Sequence, residues 1–337
     1  MAYNPFIMKK RILTGDRPTG SLHLGHFVGS LQNRVRLQDE YETFVMVANV
    51  QALTDNFDNP KKVSENTLEV LLDNIAVGLD PEKVTFFLQS AIPQIAELTI
   101  FYANLVTMAR LERNPTVKDE SKSKKQFDES MPLGFFMYPV SQAADITIVK
   151  ANLVPVGEDQ VPHIEQTREI VRKFNSIYGE IFPEPEALVG QTGRLVGLDN
   201  NAKMSKSLGN CIFLKETSED LKTKIMSMYT DPSRVRATDP GKVEGNPVFL
   251  YHDIFNPNIE EVLDLKTRYA QGKVGDVEVK QKLFLALDKF LEPIRERRAK
   301  YDDKNKLREI LAAGTSIALT EADKTMSQVK DAMGITL

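Results

Sequence analysis

The chain has 337 residues, 42% of them hydrophobic and 27% charged, with a net charge of −4. That length exceeds what one compact core organises and predicts two folding units, while the ordinary composition and the lack of any long apolar run exclude a disordered or membrane-spanning chain. The acidic balance excludes a surface that attracts nucleic acid everywhere, so any RNA contact has to use local basic patches, of which Lys118 to Lys125, Lys203 with Lys206, and Arg295 to Lys300 are the candidates.

The opening MAYNPFIMKK lacks the apolar core and small-residue cleavage site of a secretory leader, so a cytoplasmic protein is expected. Lys9 to Gly15 (KKRILTG) reads as a strand, and the Gly/Pro-rich turn DRPTGSLHLGH leads from it into a periodic apolar segment, Phe27 to Leu37. Phe44 to Val50 reads as a buried strand. Pro60 to Val77 reads as a helix with Val63, Leu68, Leu71, Leu72 and Ile75 on one face, ended by Gly78. Asp80-Pro81 has the form of a helix cap followed by proline at the first helical position, and Val84 to Leu88 is the next buried strand. Residues Asn114 to Pro132 then insert a polar, lysine-rich segment.

Met137 to Val149 is read as a helix opened by Pro139, followed by a strand, Leu153 to Val156, that runs directly into Gly157-Glu158-Asp159-Gln160. The helix after that turn carries Ile164, Thr167, Ile170, Val171 and Phe174 on one face. Strands alternating with helices predict parallel pairing with right-handed crossovers, a doubly wound α/β sheet. A loop from Gly193 to Asn210 carries KMSKS, and the lone Cys211 beyond it cannot form an intramolecular disulfide. No Cys/His cluster has metal-ligand spacing, so a protein-held metal is not expected. From Glu216 onward the segments Asp220 to Tyr229, Ile259 to Tyr269, Val277 to Tyr301 and Asn305 to Met333 read as helices, which places a domain boundary near residue 215: an α/β unit over 1–215 and an all-helical unit over 216–337.

Three constellations carry chemistry. Gly15, Arg17, Pro18, Thr19 and Gly20 with His23-Leu24-Gly25-His26 lie at the first strand-to-helix turn, where a helix N-terminus and its dipole face an anion beyond the strand end. Gly25 allows a close backbone approach there, and two histidines three residues apart can aim ring N–H groups at phosphate oxygens. Lys203-Met204-Ser205-Lys206-Ser207 places two lysines and two hydroxyls on one loop, able to close over a triphosphate and neutralise a departing pyrophosphate. A fixed five-residue match of this kind arises by chance roughly once in a few million positions. Tyr138, Gln142 and Asp145 stand at i, i+4 and i+7 on one helical face. A carboxylate among apolar neighbours needs a donor, and either an indole N–H or a phenol O–H satisfies it.

HLGH and KMSKS together resemble the class I aminoacyl-tRNA synthetases, whose signatures are a HIGH-type motif and KMSKS. GDRPTG before the first motif, VPVGEDQ at Val154 to Gln160 and the HIEQTREI that follows are similar to the tryptophanyl family, and these segments span most of residues 13 to 210. The resemblance implies a Rossmann-like catalytic domain, ATP with Mg2+ as substrate and no prosthetic group, and L-tryptophan and tRNA(Trp) as partners. It also implies a C-terminal helical domain that reads the anticodon, and a homodimer. By the same resemblance His23, His26, Lys203 and Lys206 act on the triphosphate. Arg17, Pro18, Thr19, Gly25, His26, Gly157, Glu158, Asp159, Leu195 and the loop Lys203 to Ser207 contact ATP. Asp145 reads the indole, and Tyr138, Gln142 and Gln160 hold the ammonium. Two positions depart from the common bacterial pattern: Gln142 stands where a methionine is usual and Gln51 where a histidine is usual. The Tyr, Gln, Asp spacing resembles tyrosyl-tRNA synthetases equally, so tyrosine stays open as the substrate. A shorter nucleotidyltransferase or a non-catalytic paralogue are the readings outside the class.

Overall fold

The computed structural model describes residues 9–118, 131–190, 195–200, 204, 206, 208–232, 234, 236 and 238–336. Its centre is a parallel sheet of five strands, β1 (Arg11–Asp16), β2 (Glu42–Val47), β3 (Val84–Leu88), β4 (Leu153–Val156) and β5 (Glu186–Val189), in the order β3-β2-β1-β4-β5. Helices cover both faces, which is why β2 is buried at five consecutive positions instead of alternating. In the register Leu13 lies opposite Phe44, and Phe44 opposite Thr85.

After β1 comes α1, which opens as Leu24–His26, widens into a π-helical stretch at Phe27–Leu31 and continues as Gln32–Leu37. The longer helices of this part are α2 (Pro60–Ala76), α3 (Pro93–Ala103), α4 (Leu133–Ile148) and α5 (Val161–Tyr178), with short helices at Asn49–Ala52 and Met108–Glu112. Gly78 follows α2 with φ +116°, a conformation that side chains rarely adopt, so the stop signal read there has its physical cause.

Three local readings are corrected. Asp80-Pro81 starts no helix: Asp80 accepts the backbone N–H of Glu82, Lys83 and Val84 in a single turn, and Val84 already begins β3. Pro139 does not open α4 but sits inside it, because the apolar run from Leu133 starts the helix behind Pro132. The strand β5 was not anticipated, since its four residues are only partly buried and include an exposed glutamate.

The C-terminal helices are α6 (Ser218–Met226), α7 (Pro247–Phe255), α8 (Ile259–Ala270), α9 (Asp276–Tyr301) and α10 (Lys304–Met333). They share hydrophobic clusters with the α/β part. Leu22, Leu24 and Val28 pack with Leu221, Phe249, Leu287 and Leu291, while α10 lies along the edge strand β3 and puts Leu307 and Leu311 on one side and Ala318, Ala322 and Met326 on the other. The close approach depends on Gly314, where a Cβ would come within 2.0 Å of the Phe86 carbonyl oxygen. An unpaired strand edge is thereby covered. Among the described residues no helix is long and apolar enough to cross a membrane.

Candidate functional site

In an open parallel sheet ligands bind beyond the carboxyl ends of the strands, where the strand order reverses direction. That point lies between β1 and β4, so the two strand-to-helix turns read from the sequence, Arg17 to His26 and Gly157 to Gln160, open into one crevice. At the first turn the two histidines build the helix cap themselves. His23 Nδ1 accepts the Gly25 N–H (3.1 Å), and His26 Nδ1 accepts the His23 N–H (3.1 Å). With both Nδ1 atoms occupied as acceptors, the ring proton of each neutral imidazole resides on Nε2, a donor for an incoming oxygen. Both rings stay neutral at physiological pH: burial, together with the neighbouring His26 and Lys206, lowers His23 to about 2, and burial with Lys206 lowers His26 to about 4. A Cβ at position 25 would come within 2.9 Å of the His23 ring and 3.3 Å of Met204 Sδ, so Gly25 is required by the folded-back histidine.

The segment after KMSKS pairs with HLGH. Leu24 N–H donates to the Ile212 carbonyl (3.0 Å) and Leu214 N–H to the Leu22 carbonyl (3.0 Å), an isolated antiparallel bridge at His23 and Phe213. Motifs 180 residues apart in the chain are thus neighbours. Met204 is buried, and Lys206 Nζ donates to the Gly20 carbonyl (2.7 Å). Burial brings the Lys206 ammonium down to about 8, against the pull of the Asp16 and Asp73 carboxylates. Lys203, Ser205 and Ser207 lie outside the described residues, as does the lysine-rich segment beyond Lys118.

Around the crevice Arg17 is half-buried and faces Asp55 (3.4 Å), Pro18 is buried, and Thr19 turns back onto the Arg17 carbonyl. Glu158 and Asp159 are exposed, Gly157 and Gln160 half-buried, and the Leu195 side chain is packed in the cluster with Leu22 and Leu24.

Asp145 is buried on α4, with 2% of its surface exposed, and burial raises its carboxyl to about 7. Its Oδ1 accepts from Gln89 Nε2 (2.8 Å). Gln142, one turn earlier, is half-buried. Tyr138 belongs to a separate polar chain. Asn114 Oδ1 accepts the backbone N–H of Thr116 (3.0 Å), which turns its amide nitrogen toward Gln166 Oε1 (2.8 Å) and His163 Nδ1 (3.2 Å). His163, lowered to about 4 by burial, therefore carries its proton on Nε2 and donates to Tyr138 Oη (2.9 Å). Thr116 Oγ1 donates to the Asp159 carbonyl (2.8 Å), so this chain ties α4 to the second turn. Gln89, His163 and Asn114 were given no role in the sequence reading. Gln89 had a usable signal: it stands directly after a predicted buried strand, where sites form.

Residues 8–292 match the family model described as tRNA synthetases class I (W and Y). The chain belongs to this family of class I tRNA synthetases. It is 54% identical to the tryptophan–tRNA ligase of Clostridium longisporum over 333 residues, 97% of each chain. It is also 54% identical to that of Lactococcus lactis over 336 residues, covering 97% of this chain and 98% of the relative. Among solved structures it resembles tryptophanyl-tRNA synthetase from Campylobacter jejuni complexed with ADP and tryptophan, with a TM-score of 0.83 and 33% identity over 96% of this chain and 99% of that one.

In this class I synthetase two buried ion pairs brace the first turn, and neither was anticipated. Arg34 on α1 grips Asp16 at the end of β1 (2.6 and 3.1 Å), with Asn74 bonded to both. Burial alone would raise Asp16, but the guanidinium and Asn74 pull its carboxyl below the usual range. Asp73 on α2 is fully buried, accepts the Leu22 N–H (2.7 Å) and pairs with Arg298 of α9. The basic run Arg295 to Lys300, read as an RNA-facing patch, is thereby reassigned in large part. Arg298 also binds Glu69 (2.6 Å), Arg297 donates to the Ala76 carbonyl (2.6 Å), and Arg295 donates to the Glu216 carbonyl (2.7 Å) and pairs with Asp288. These arginines lock α9 onto α2 and the start of α6. Lys304, Lys306 and Arg308, in the first turns of α10, remain exposed.

Proposed function

We propose that this synthetase is a tryptophan–tRNA ligase. ATP and L-tryptophan give tryptophanyl-adenylate and pyrophosphate, and the terminal ribose hydroxyl of tRNA(Trp) then takes the acyl group and releases AMP. The observation that carries the reaction class is the juxtaposition of HLGH and the KMSKS segment at the sheet's switch point. Full-length similarity to tryptophan–tRNA ligases supports tryptophan over tyrosine.

In this reading the tryptophan carboxylate attacks the α-phosphorus while the bond to pyrophosphate breaks, and no side chain forms a covalent intermediate. Catalysis rests on positioning and on stabilising charge as it develops. His23 and His26 offer neutral Nε2–H donors to phosphate oxygens, and Lys203 and Lys206 offset the negative charge of the leaving pyrophosphate. Arg17, Pro18, Thr19, Gly25, Gly157, Leu195, Met204, Ser205 and Ser207 line the nucleotide, and the Glu158 and Asp159 carboxylates suit its ribose hydroxyls. Among the described residues no group of three His, Cys, Asp or Glu side chains could hold a metal. Magnesium would accordingly be carried by the phosphate oxygens, which fits its preference for few protein ligands.

Asp145 would accept the indole N–H, since its Oδ2 accepts no hydrogen bond from the described residues while Oδ1 is held by Gln89. Tyr138, Gln142 and Gln160 would hold the ammonium. The domain reading stays as first drawn, catalysis in 1–215 and tRNA recognition in 216–337, with Lys304, Lys306 and Arg308 as the basic side chains available to RNA. A homodimer in the cytoplasm completes the proposal. Ile100, Met108 and Leu133, each more than half exposed on helices that pack together, supply an apolar surface for the second copy.

The test is ATP–pyrophosphate exchange by the purified chain with tryptophan, tyrosine or phenylalanine as the only amino acid. Exchange with tryptophan alone is expected. Exchange driven by tyrosine would overturn the substrate assignment and keep the reaction class.

A further inference from the structure

We propose that Gln89 is a positioning residue that fixes which oxygen of Asp145 meets the amino acid and keeps that carboxylate able to accept an N–H. The inference rests on the reading of Asp145 as the side-chain reader of tryptophan, and goes beyond it.

The orientation of the Gln89 amide is forced. Its Oε1 accepts two backbone N–H groups, from Val50 (3.1 Å) and Gln51 (2.9 Å), at the start of the short helix Asn49–Ala52. An amide NH2 cannot face two donors, so Nε2 must point the other way, and it meets Asp145 Oδ1 at 2.8 Å. Both residues are almost fully buried, at 3% and 2% exposure, and both lie at the carboxyl side of the sheet. One carboxylate oxygen is thereby occupied and the other is left for a donor from the amino acid. Without the amide the carboxyl could rotate or take a proton on either oxygen.

The charge state follows from the same geometry. Burial pushes Asp145 up to about 7, and the Gln89 hydrogen bond is what opposes the rise. Among the described residues, Tyr102 of α3, which bonds Thr147, and His163 of α5, which bonds Tyr138, are titratable groups whose side chains bond to α4. Neither carries charge near neutrality, because burial raises the Tyr102 phenol and lowers His163 to about 4. Among the described residues around α4, burial thus brings Asp145 closest to neutrality, at about 7. Burial holds His23 and His26 far lower, at about 2 and about 4, and brings Lys206 of the ATP turn down to about 8. A hydrogen bond to a charged acceptor is roughly twice as strong as one to a neutral acceptor, so tryptophan binding should weaken as pH falls through this range.

The experiment compares the intact chain with Gln89→Leu and Gln89→Glu. Leucine removes both bonds. Glutamate keeps an acceptor for the helix N–H groups but places an oxygen where the amide donor stood, which separates the two jobs of the residue. The chain contains no tryptophan, so the emission of added tryptophan, excited at its red edge, reports binding directly, beside exchange kinetics from pH 5.5 to 8.5. In the intact chain affinity for tryptophan should fall as pH drops through about 7. In both variants the acid limb should move up by about one pH unit, with tryptophan affinity at pH 7 down by about tenfold and KM for ATP unchanged. An acid limb and an affinity left in place in variants that melt cooperatively would overturn the proposal. Asp145→Ala is the companion: if tryptophan binding survives it, the reading of Asp145 fails as well, whereas loss in Asp145→Ala with no shift in the Gln89 variants removes the role of Gln89 alone.

Discussion

Replacing Asp145 by alanine should lower kcat/KM for tryptophan in the exchange reaction by about 100- to 1000-fold while changing KM for ATP by less than about twofold. An indole N–H brought into the variant's site would be desolvated with no acceptor, and the acceptor it loses is a charged one. Such a buried orphan costs about 1–3 kcal/mol, more where a charged partner is lost, and about 1.4 kcal/mol is a factor of ten. The ATP side should be spared, because the HLGH cap and the Lys206–Gly20 bond are built on other elements. Steady-state exchange at saturating ATP checks this. A variant within threefold of the intact chain would show that Asp145 does not meet the amino acid.

The second large effect concerns stability. Arg298→Ala should destabilise the protein by about 3–5 kcal/mol, the range for removing one partner of a buried ion pair. Asp73 is fully buried while the Arg298 side chain is 15% exposed, so solvent screens the pair only in part. Even with Arg298 present, burial holds the Asp73 carboxyl up at about 6. Because its folded value lies above its unfolded one, the ionised carboxylate costs stability at neutral pH. That cost fades as pH falls from about 6 toward the unfolded value near 4. Without Arg298 the carboxyl rises further, so the deficit of the variant should be larger at pH 8 than at pH 5. Urea denaturation at the two pH values measures it. Adding Asp73→Asn should recover part of the loss, since no buried charge then remains. An equal deficit at both pH values, or none, would contradict the account.

Much of the fold was legible because its signals are local. Val84 to Leu88 and Leu153 to Val156 are strands of the sheet as read, and four of the C-terminal helices follow their apolar periodicity to within a few residues, whereas α7 (Pro247–Phe255) was not read from the sequence. Failures occurred where local preference and tertiary setting disagree. Pro139 resembles a helix start but lies inside α4, and β5 has too few buried residues to display a period. Within the proposed site, HLGH, KMSKS and Asp145 could be singled out because residue type and spacing suggest a chemistry. Gln89, His163, Asn114 and Asp73 act through partners 50 or more positions away in most cases, and such pairings leave no mark on a single sequence. The RERRAK run illustrates the opposite error. Its charge density suggested a solvent-facing or RNA-facing surface, yet Glu69 and Asp73 on α2 were waiting for it.

The central claim is best tested by charging itself. Purified protein is supplied with ATP, magnesium and labelled tryptophan or tyrosine, and with transcripts of tRNA(Trp) or tRNA(Tyr). The account predicts tryptophan esterified to tRNA(Trp), and background label in the other three combinations. Tyrosine appearing on tRNA(Tyr), or no charging of tRNA(Trp) by a chain that melts cooperatively, would contradict it.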